Sequence, residues 1–230
     1  MASVLIVAAG KGTRAQSDVP KQYIEIGGKT ILRHTIDRFL ALPDIDQITV
    51  VIAKTDKATY ADALDVLEDP RITQPVIGGD TRAKSVRAGL EAMAKNDAPQ
   101  HVLIHDAARP FVSPVSVAQV LEVLKIHDGA LVATPAVDAL WRTDGGFAIS
   151  PQDRSMIYHA QTPQGFRFSS ILNAHRTFKG EAADDAAVAR SSGMLVQIVP
   201  GTPENFKITT RADIARARAH LALPGTTKNT

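Results

Sequence analysis

Three short stretches carry side chains suited to polyphosphate chemistry. The first is Ala8-Ala9-Gly10-Lys11-Gly12-Thr13-Arg14, continued by Pro20-Lys21-Gln22. Glycines let backbone N–H groups approach phosphate oxygens with no Cβ in the way. Arg14 adds a bidentate fork and Lys21 a compact ammonium. The second is Gly78-Gly79-Asp80-Thr81-Arg82, with Ser85 beyond it, opening a helical pattern. A glycine loop before a helix N-terminus suits an anion or nucleotide, and a plain turn with Thr81 as N-cap suits it too. The third is Asp106, which follows the apolar run His101-Val102-Leu103-Ile104. A carboxylate at a strand's end can hold Mg²⁺ against a triphosphate, or it can simply terminate the strand.

Spacing separates the glycine-loop readings. A Walker loop requires Gly, four residues, then Gly-Lys-Ser/Thr, and no glycine precedes Gly10. Gly10 to Ala15 matches the dinucleotide fingerprint G-x-G-x-x-A literally, the signature of an NAD(P)-dependent dehydrogenase. That fingerprint also needs a helix opening from the glycines and an acid closing the second strand. Pro20 and Gly27-Gly28-Lys29 interrupt the chain instead, and the next strand-like run ends in Ala53-Lys54.

The elements that must carry these groups alternate between strand and helix. Ser3 to Val7 is a continuous apolar run of the kind buried on both faces of a parallel sheet. Ile31-Leu32, Thr35-Ile36 and Phe39-Leu40 recur at helical spacing up to Pro43. Strands are expected at Ile48–Ala53, Ile72–Ile77, His101–Ile104, Ala130–Ala133 and Met194–Val199. Helices are expected at Tyr60–Leu67, after Arg82 with Val86, Leu90 and Met93 on one face, at Val115–Ile126, Ser170–Phe178 and Asp184–Ser192, and after the capping pair Thr210 and Asp213. Pro135 to Pro151 has Gly145-Gly146 and no helical period, so it is expected as a hairpin arm, within an excursion from about 135 to 160. The fold class is α/β, one domain over 1–230 with a mostly parallel sheet flanked by helices, and the tail 224–230 is expected to be disordered.

Bulk properties narrow the partners. The 230 residues are 44% hydrophobic and 22% charged, with a formal net charge of +2. That is ordinary for a globular protein and carries no basic run for nucleic acid. No cysteine is present, which removes disulfides and thiolate metal sites. No stretch reads as a signal peptide or a membrane span, so a cytoplasmic protein is expected.

Several motifs in order carry a family resemblance. They are Ala8-Ala9-Gly10-x-Gly12-x-Arg14, Pro20-Lys21-Gln22-Tyr23, Gly78-Gly79-Asp80-x-Arg82-x-x-Ser85-Val86, His105-Asp106-Ala107-Ala108-Arg109-Pro110, Thr162-Pro163-Gln164 and Asn205-x-Lys207. Over residues 3 to 222 the chain resembles the 2-C-methyl-D-erythritol 4-phosphate cytidylyltransferases of the non-mevalonate isoprenoid pathway. The resemblance implies a Rossmann-like nucleotidyltransferase that joins CTP to a sugar-alcohol phosphate, with Mg²⁺. Arg14 and Lys21 would hold the triphosphate and transition state, and Lys207 the α-phosphate or product. Ala8, Ala9, Gly10, Gly79, Asp80, Ser85 and Asp106 would bind the nucleotide, with Asp106 also on the metal. Arg109, Arg154 and Thr162 would bind the acceptor, Arg154 reaching the partner's site across a homodimer by arm exchange.

The attacking phosphate oxygen is already anionic, so no general base is needed and His105 and His159 are read as structural. Ala139 stands where the family has an arm threonine, which keeps ribitol 5-phosphate open as acceptor. Some members carry a fused cyclodiphosphate synthase, and only seven residues follow Leu223 here. A nucleotide-binding regulatory protein on the same sheet is the reading from a different class.

Overall fold

Three apolar, β-branched runs build the centre of the molecule. The computed structural model describes residues 2–10, 19–64, 67–96 and 98–223. Strands β1 (Ala2–Val7), β4 (Ile45–Ile52) and β6 (His101–Asp106) lie side by side and parallel, with Val7 opposite both Val51 and Asp106. Their ends therefore form one edge, and the first glycine loop and Asp106 meet there.

Between them come β2 (Glu25–Ile26), β3 (Lys29–Thr30) and α1 (Ile31–Leu40). Then follow α2 (Lys57–Ala63), β5 (Val76–Ile77) and α3 (Arg82–Lys95). Beyond β6 lie α4 (Pro114–Leu124), β7 (Gly129–Pro135), β8 (Leu140–Asp144), β9 (Phe147–Gln152) and β10 (Tyr158–Arg167). The described chain ends with α5 (Phe168–Thr177), α6 (Asp185–Ser191), β11 (Val196–Pro200) and α7 (Arg211–Ala222).

The main sheet has seven strands in the order β11-β7-β10-β6-β1-β4-β5, parallel except for β10. Successive residues of β1 feed opposite faces: Val4 and Ile6 pack with Leu32, Ile36 and Phe39 of α1, while Leu5 packs with Val86 and Leu90 of α3. Each such fully buried aliphatic is worth roughly 1.5–3 kcal/mol over leaving it in water. Helix starts are capped as the sequence suggests. Thr81 Oγ1 accepts from Lys84 N–H at 3.2 Å, and Thr210 with Asp213 forms a capping box.

Two elements depart from expectation. The strand expected over Ile72–Ile77 contracts to Val76–Ile77, with Ile72 making a lone bridge to Ile48. Pro75 has no N–H to give a ladder. Conversely, β10 is a long buried strand through Gln161-Thr162-Pro163-Gln164, a polar segment that does not read as central strand. The ladder to β7 skips from Ala160 to Gln164, so Pro163 is tolerated. The hairpin arm is present as β8 and β9, joined by Gly145 and Gly146 at φ 53° and 85°, the positive values that a two-residue turn requires.

Candidate active site

At the shared edge the backbone is drawn together by side chains from behind. Gln22, 2% exposed, donates through Nε2 to the carbonyls of Ala8 at 2.7 Å and Gly10 at 3.2 Å, fixing the first loop as it leaves β1. The second loop abuts it. A Cβ on Gly78 would sit 2.7 Å from both the Ala9 Cβ and Ser85 Oγ, so only glycine fits. Ser85 Oγ accepts from Gly79 N–H at 3.2 Å and donates toward the Thr81 carbonyl at 2.9 Å, so it braces the loop from within. A cleft of about 880 Å³ opens between the loops. Ala8, Ala9, Gly10, Lys21, Gly79, Asp80, Ser85, Asp106 and Lys207 all line it. Arg14 lies outside the described residues.

Asp106 is the electrostatic centre. Its Oδ2 meets Lys207 Nζ at 2.8 Å and Arg109 Nε at 3.8 Å, and its Oδ1 meets Arg82 Nε at 3.5 Å. Burial opposes ionisation of this carboxyl, but Lys207, Arg82 and Arg109 outweigh it and hold Asp106 well below the usual carboxylate range. Arg82 is held charged: burial works against it, and Asp185 and Asp106 overcome that. Burial weakens the hold of Arg109 on its proton.

The backbone of Asp106 is set by a chain of neutral hydrogen bonds. Asp106 N–H donates to Thr162 Oγ1 at 3.1 Å, and Thr162 Oγ1 lies 3.0 Å from His105 Nδ1. His105 Nε2 lies 3.0 Å from the Arg109 carbonyl, so Nε2 carries the proton and Nδ1 accepts from the Thr162 hydroxyl. Burial lowers the His105 pKa to about 4, consistent with a neutral ring. Thr162, expected at the acceptor, is 3% exposed with its hydroxyl engaged on both sides. In this position Thr162 braces the backbone of Asp106.

Lys207 is held by its neighbours in sequence. Asn205, 1% exposed, donates from Nδ2 to the Thr162 carbonyl at 2.8 Å and to Gln161 Oε1 at 3.1 Å. Ile208 N–H donates to the Ala108 carbonyl at 2.9 Å. Arg109 donates from Nη1 to the Asn205 carbonyl at 2.7 Å, and its guanidinium stands beside Asp106 rather than among the residues lining the cleft. Arg154 is exposed between β9 and β10 and does not line the cleft of its own chain. His159 is exposed on β10.

Sequence reasoning did not assign Arg82, Gln22, Gln161, Gln164 or Asp185 to the site. Arg82 stood inside a quoted motif and could have been found there. Asp185 gave no local signal, because its partner Arg82 is 103 residues away.

Asp106 lines the cleft together with Asp56 and Asp80, but among the described residues no three His, Cys, Asp or Glu cluster as a metal cage. One carboxylate suits Mg²⁺ that arrives on a triphosphate, since that ion keeps water and phosphate oxygens as its other ligands. Among the described residues no helix is long and apolar enough to cross a membrane.

Residues 2–222 match the family described as IspD, 2-C-methyl-D-erythritol 4-phosphate cytidylyltransferase. A protein of that name from Cereibacter sphaeroides is 45% identical over 221 residues, covering 96% of this chain and 97% of that one. The bifunctional enzyme IspD/IspF of Paramagnetospirillum magneticum is 44% identical over 226 residues, and there 96% of this chain spans 57% of the relative's length. Among solved structures, 4-diphosphocytidyl-2C-methyl-D-erythritol synthase of Anaerococcus prevotii superposes with a TM-score of 0.83 at 29% identity, covering 96% of each chain. The cytidylyltransferase of Thermus thermophilus gives 0.76 at 32% identity, covering 96% of this chain and 98% of that one. With its two glycine loops, its Asp106 centre and its parallel edge all in that setting, the chain belongs to the 2-C-methyl-D-erythritol 4-phosphate cytidylyltransferase family.

Proposed function

We propose that this protein transfers the cytidylyl group of CTP to the phosphate of 2-C-methyl-D-erythritol 4-phosphate, forming 4-diphosphocytidyl-2-C-methyl-D-erythritol and pyrophosphate. The observation that carries the reading is the convergence of both glycine loops, Lys21, Lys207 and Asp106 on one cleft, in a chain of this family. An oxygen of the acceptor phosphate attacks the α-phosphorus of CTP. The bond from the α-phosphorus to the bridging oxygen breaks, and pyrophosphate leaves with the electron pair. No proton has to be removed, so the work is positioning and charge stabilisation.

Lys21 and Arg14 hold the triphosphate and the charge that builds on it, and Lys207 orients the α-phosphate. Backbone at Ala8 to Gly10 and Gly79 to Asp80 binds cytosine and ribose, and Ser85 keeps that loop in shape. Asp106 is the residue that would hold Mg²⁺, and the ion would supply positive charge to the triphosphate. Lys207 and Arg82 keep Asp106 ionised, the form that a metal ion requires.

The acceptor lies toward Arg109 and, in a homodimer with exchanged arms, toward Arg154 of the partner subunit. Support for the exchange comes from the exposed arm, where Trp141 is 54% and Phe147 75% exposed, an apolar surface that a second copy would cover. A cytoplasmic location suits CTP and sugar phosphates as substrates.

The test is pyrophosphate release with Mg²⁺, across four nucleotides and two acceptors, methylerythritol phosphate and ribitol 5-phosphate. Release with CTP and methylerythritol phosphate alone is expected. Release with ribitol 5-phosphate instead would move the acceptor, and CTP binding with no release from any acceptor would leave a regulatory nucleotide binder.

A further inference from the structure

From Arg82 on the cleft wall a second charged array runs back to groups that lie out of solvent. Asp185, the first residue of α6, is 0% exposed. It accepts from Arg82 Nη2 at 2.7 Å and, through its other oxygen, from His175 Nε2 at 3.2 Å. His175, on α5, is itself 3% exposed. Arg82 turns its Nε to Asp106 Oδ1 at 3.5 Å, and Asp106 gives its other oxygen to Lys207 at 2.8 Å. Polar groups therefore run without a break from α5 and α6 through the start of α3 to the end of β6 and on to Lys207.

A buried ion pair of this kind costs desolvation, and well-packed apolar residues would stabilise the fold as well or better. Its value here is geometric. Arg82 has two anionic neighbours, and the nearer is Asp185. With its Nη2 on Asp185, Arg82 reaches Asp106 only through Nε to Oδ1, and Oδ2 is left to Lys207 at 2.8 Å and Arg109 at 3.8 Å. Asp185 has little freedom to do otherwise. Gln164 accepts from Ala186 N–H at 2.8 Å and donates to Asp184 Oδ2 at 3.0 Å, tying the chain on both sides of Asp185 to β10, the strand beside β6.

We propose that Asp185 is a positioning residue of the active site: backed by His175, it anchors Arg82 so that Asp106 stays shared between Arg82 and Lys207, and Lys207 stays aimed into the cleft. The effect of Asp185 on rate rests on the cytidylyl-transfer reading, whereas its effect on Lys207 rests on geometry alone.

Asp185→Asn keeps the size and loses the charge. Arg82 is left with Asp106 as its nearest anion, closes on it and competes with Lys207. Lys207 is then released toward solvent. Acylation of Lys207 by an amine-reactive ester, followed by mass spectrometry of its peptide, is expected to speed up about threefold or more, with the fold checked by circular dichroism. In an Arg82→Gln background the same substitution is expected to change labelling by less than about 1.5-fold, because the competitor is absent. In turnover, Asp185→Asn is expected to lower kcat about tenfold or more while the KM for CTP stays within about threefold.

Unchanged Lys207 labelling, or an equal change in both backgrounds, overturns the proposal. If the wild-type protein releases no pyrophosphate, the functional reading falls and labelling still decides the role of Asp185. Should the asparagine variant fail to fold, Arg82→Gln by itself is the substitute, since it removes the guanidinium that competes for Asp106. Lys207 is then expected to label no faster than in the wild type, and faster labelling would mean that Arg82 supports Lys207 rather than competes with it, which overturns the proposal.

Discussion

Around Asp106, the three cations Lys207, Arg82 and Arg109 face the two carboxylates Asp106 and Asp185, which leaves a local surplus of one positive charge. A polyanionic substrate supplies the missing negative charge, and the site is arranged to receive one. Removing the carboxylate charge should be costly in two ways. Asp106→Asn is expected to lose about 3–5 kcal/mol of stability in urea unfolding, as when one partner of a buried pair is deleted, and to flatten the Mg²⁺ dependence of turnover. A stable variant with an unaltered Mg²⁺ titration would return Asp106 to a strand-end residue. Lys21→Ala and Lys207→Ala are expected to lower kcat more than they raise the KM for CTP, because their charge matters most where charge develops. Steady-state kinetics with a pure KM effect would count against both.

His105 offers a pH test at the same scale. Its pKa falls from 6.5 to about 4 on folding, so the unfolded chain binds the proton first as pH drops. The stability from keeping this ring neutral is fully present above pH 6.5 and is lost progressively down to about pH 4. At about 1.4 kcal/mol per pH unit that loss approaches roughly 3 kcal/mol. In urea titrations at pH 7 and pH 4.5, His105→Gln should show a shallower decline than wild type. Parallel declines would remove His105 as the source. The charged residues at the strand ends were legible in sequence because glycine, lysine and aspartate after an apolar run are chemically suggestive by themselves. Their supports, Gln22, Gln161 and Asn205 among them, were not read as such, since a buried amide has the same sequence signature as an exposed one.

Among the elements, those built on one periodicity were readable and those built on long-range accommodation were not. Val86, Leu90 and Met93 recur on one helical face, and all are buried in α3. β10 escaped because its polar stretch with Pro163 breaks the strand pattern, yet the gap in its ladder is what frees Thr162 to reach Asp106 and Gln161 to reach Asn205. The two glycine loops are likewise a joint element, each shaped by the other. In Gly78→Ala the new Cβ would press on Ala9 and Ser85 at 2.7 Å, so one loop must move. CTP affinity measured by calorimetry is expected to weaken about tenfold or more, with the melting temperature lowered by only a few degrees. Wild-type affinity would mean that the loops do not set the nucleotide site.

For the whole molecule, the arm raises the question of where an active site ends. β8 and β9 are five and six residues long, so at about 3.3 Å per residue the hairpin reaches roughly 17–20 Å. Ile149 is 51% and Met156 88% exposed on this projection, and Arg154 stands at its return, away from the cleft of its own chain. An arm of this kind is explained if each site combines Lys21 and Lys207 of one subunit with Arg154 of the other. Two inactive variants should then complement. In a dimer of one Lys21→Ala subunit and one Arg154→Ala subunit, one site collects both defects and the other is intact. Equal amounts mixed at random make about half the dimers mixed, each with one working site of two, so activity should recover to about one quarter of wild type. Sites contained within single subunits would give no recovery. The measurement is pyrophosphate release after co-refolding the purified variants, with heterodimers verified by native mass spectrometry, and an inactive mixture that contains them rules out the shared site.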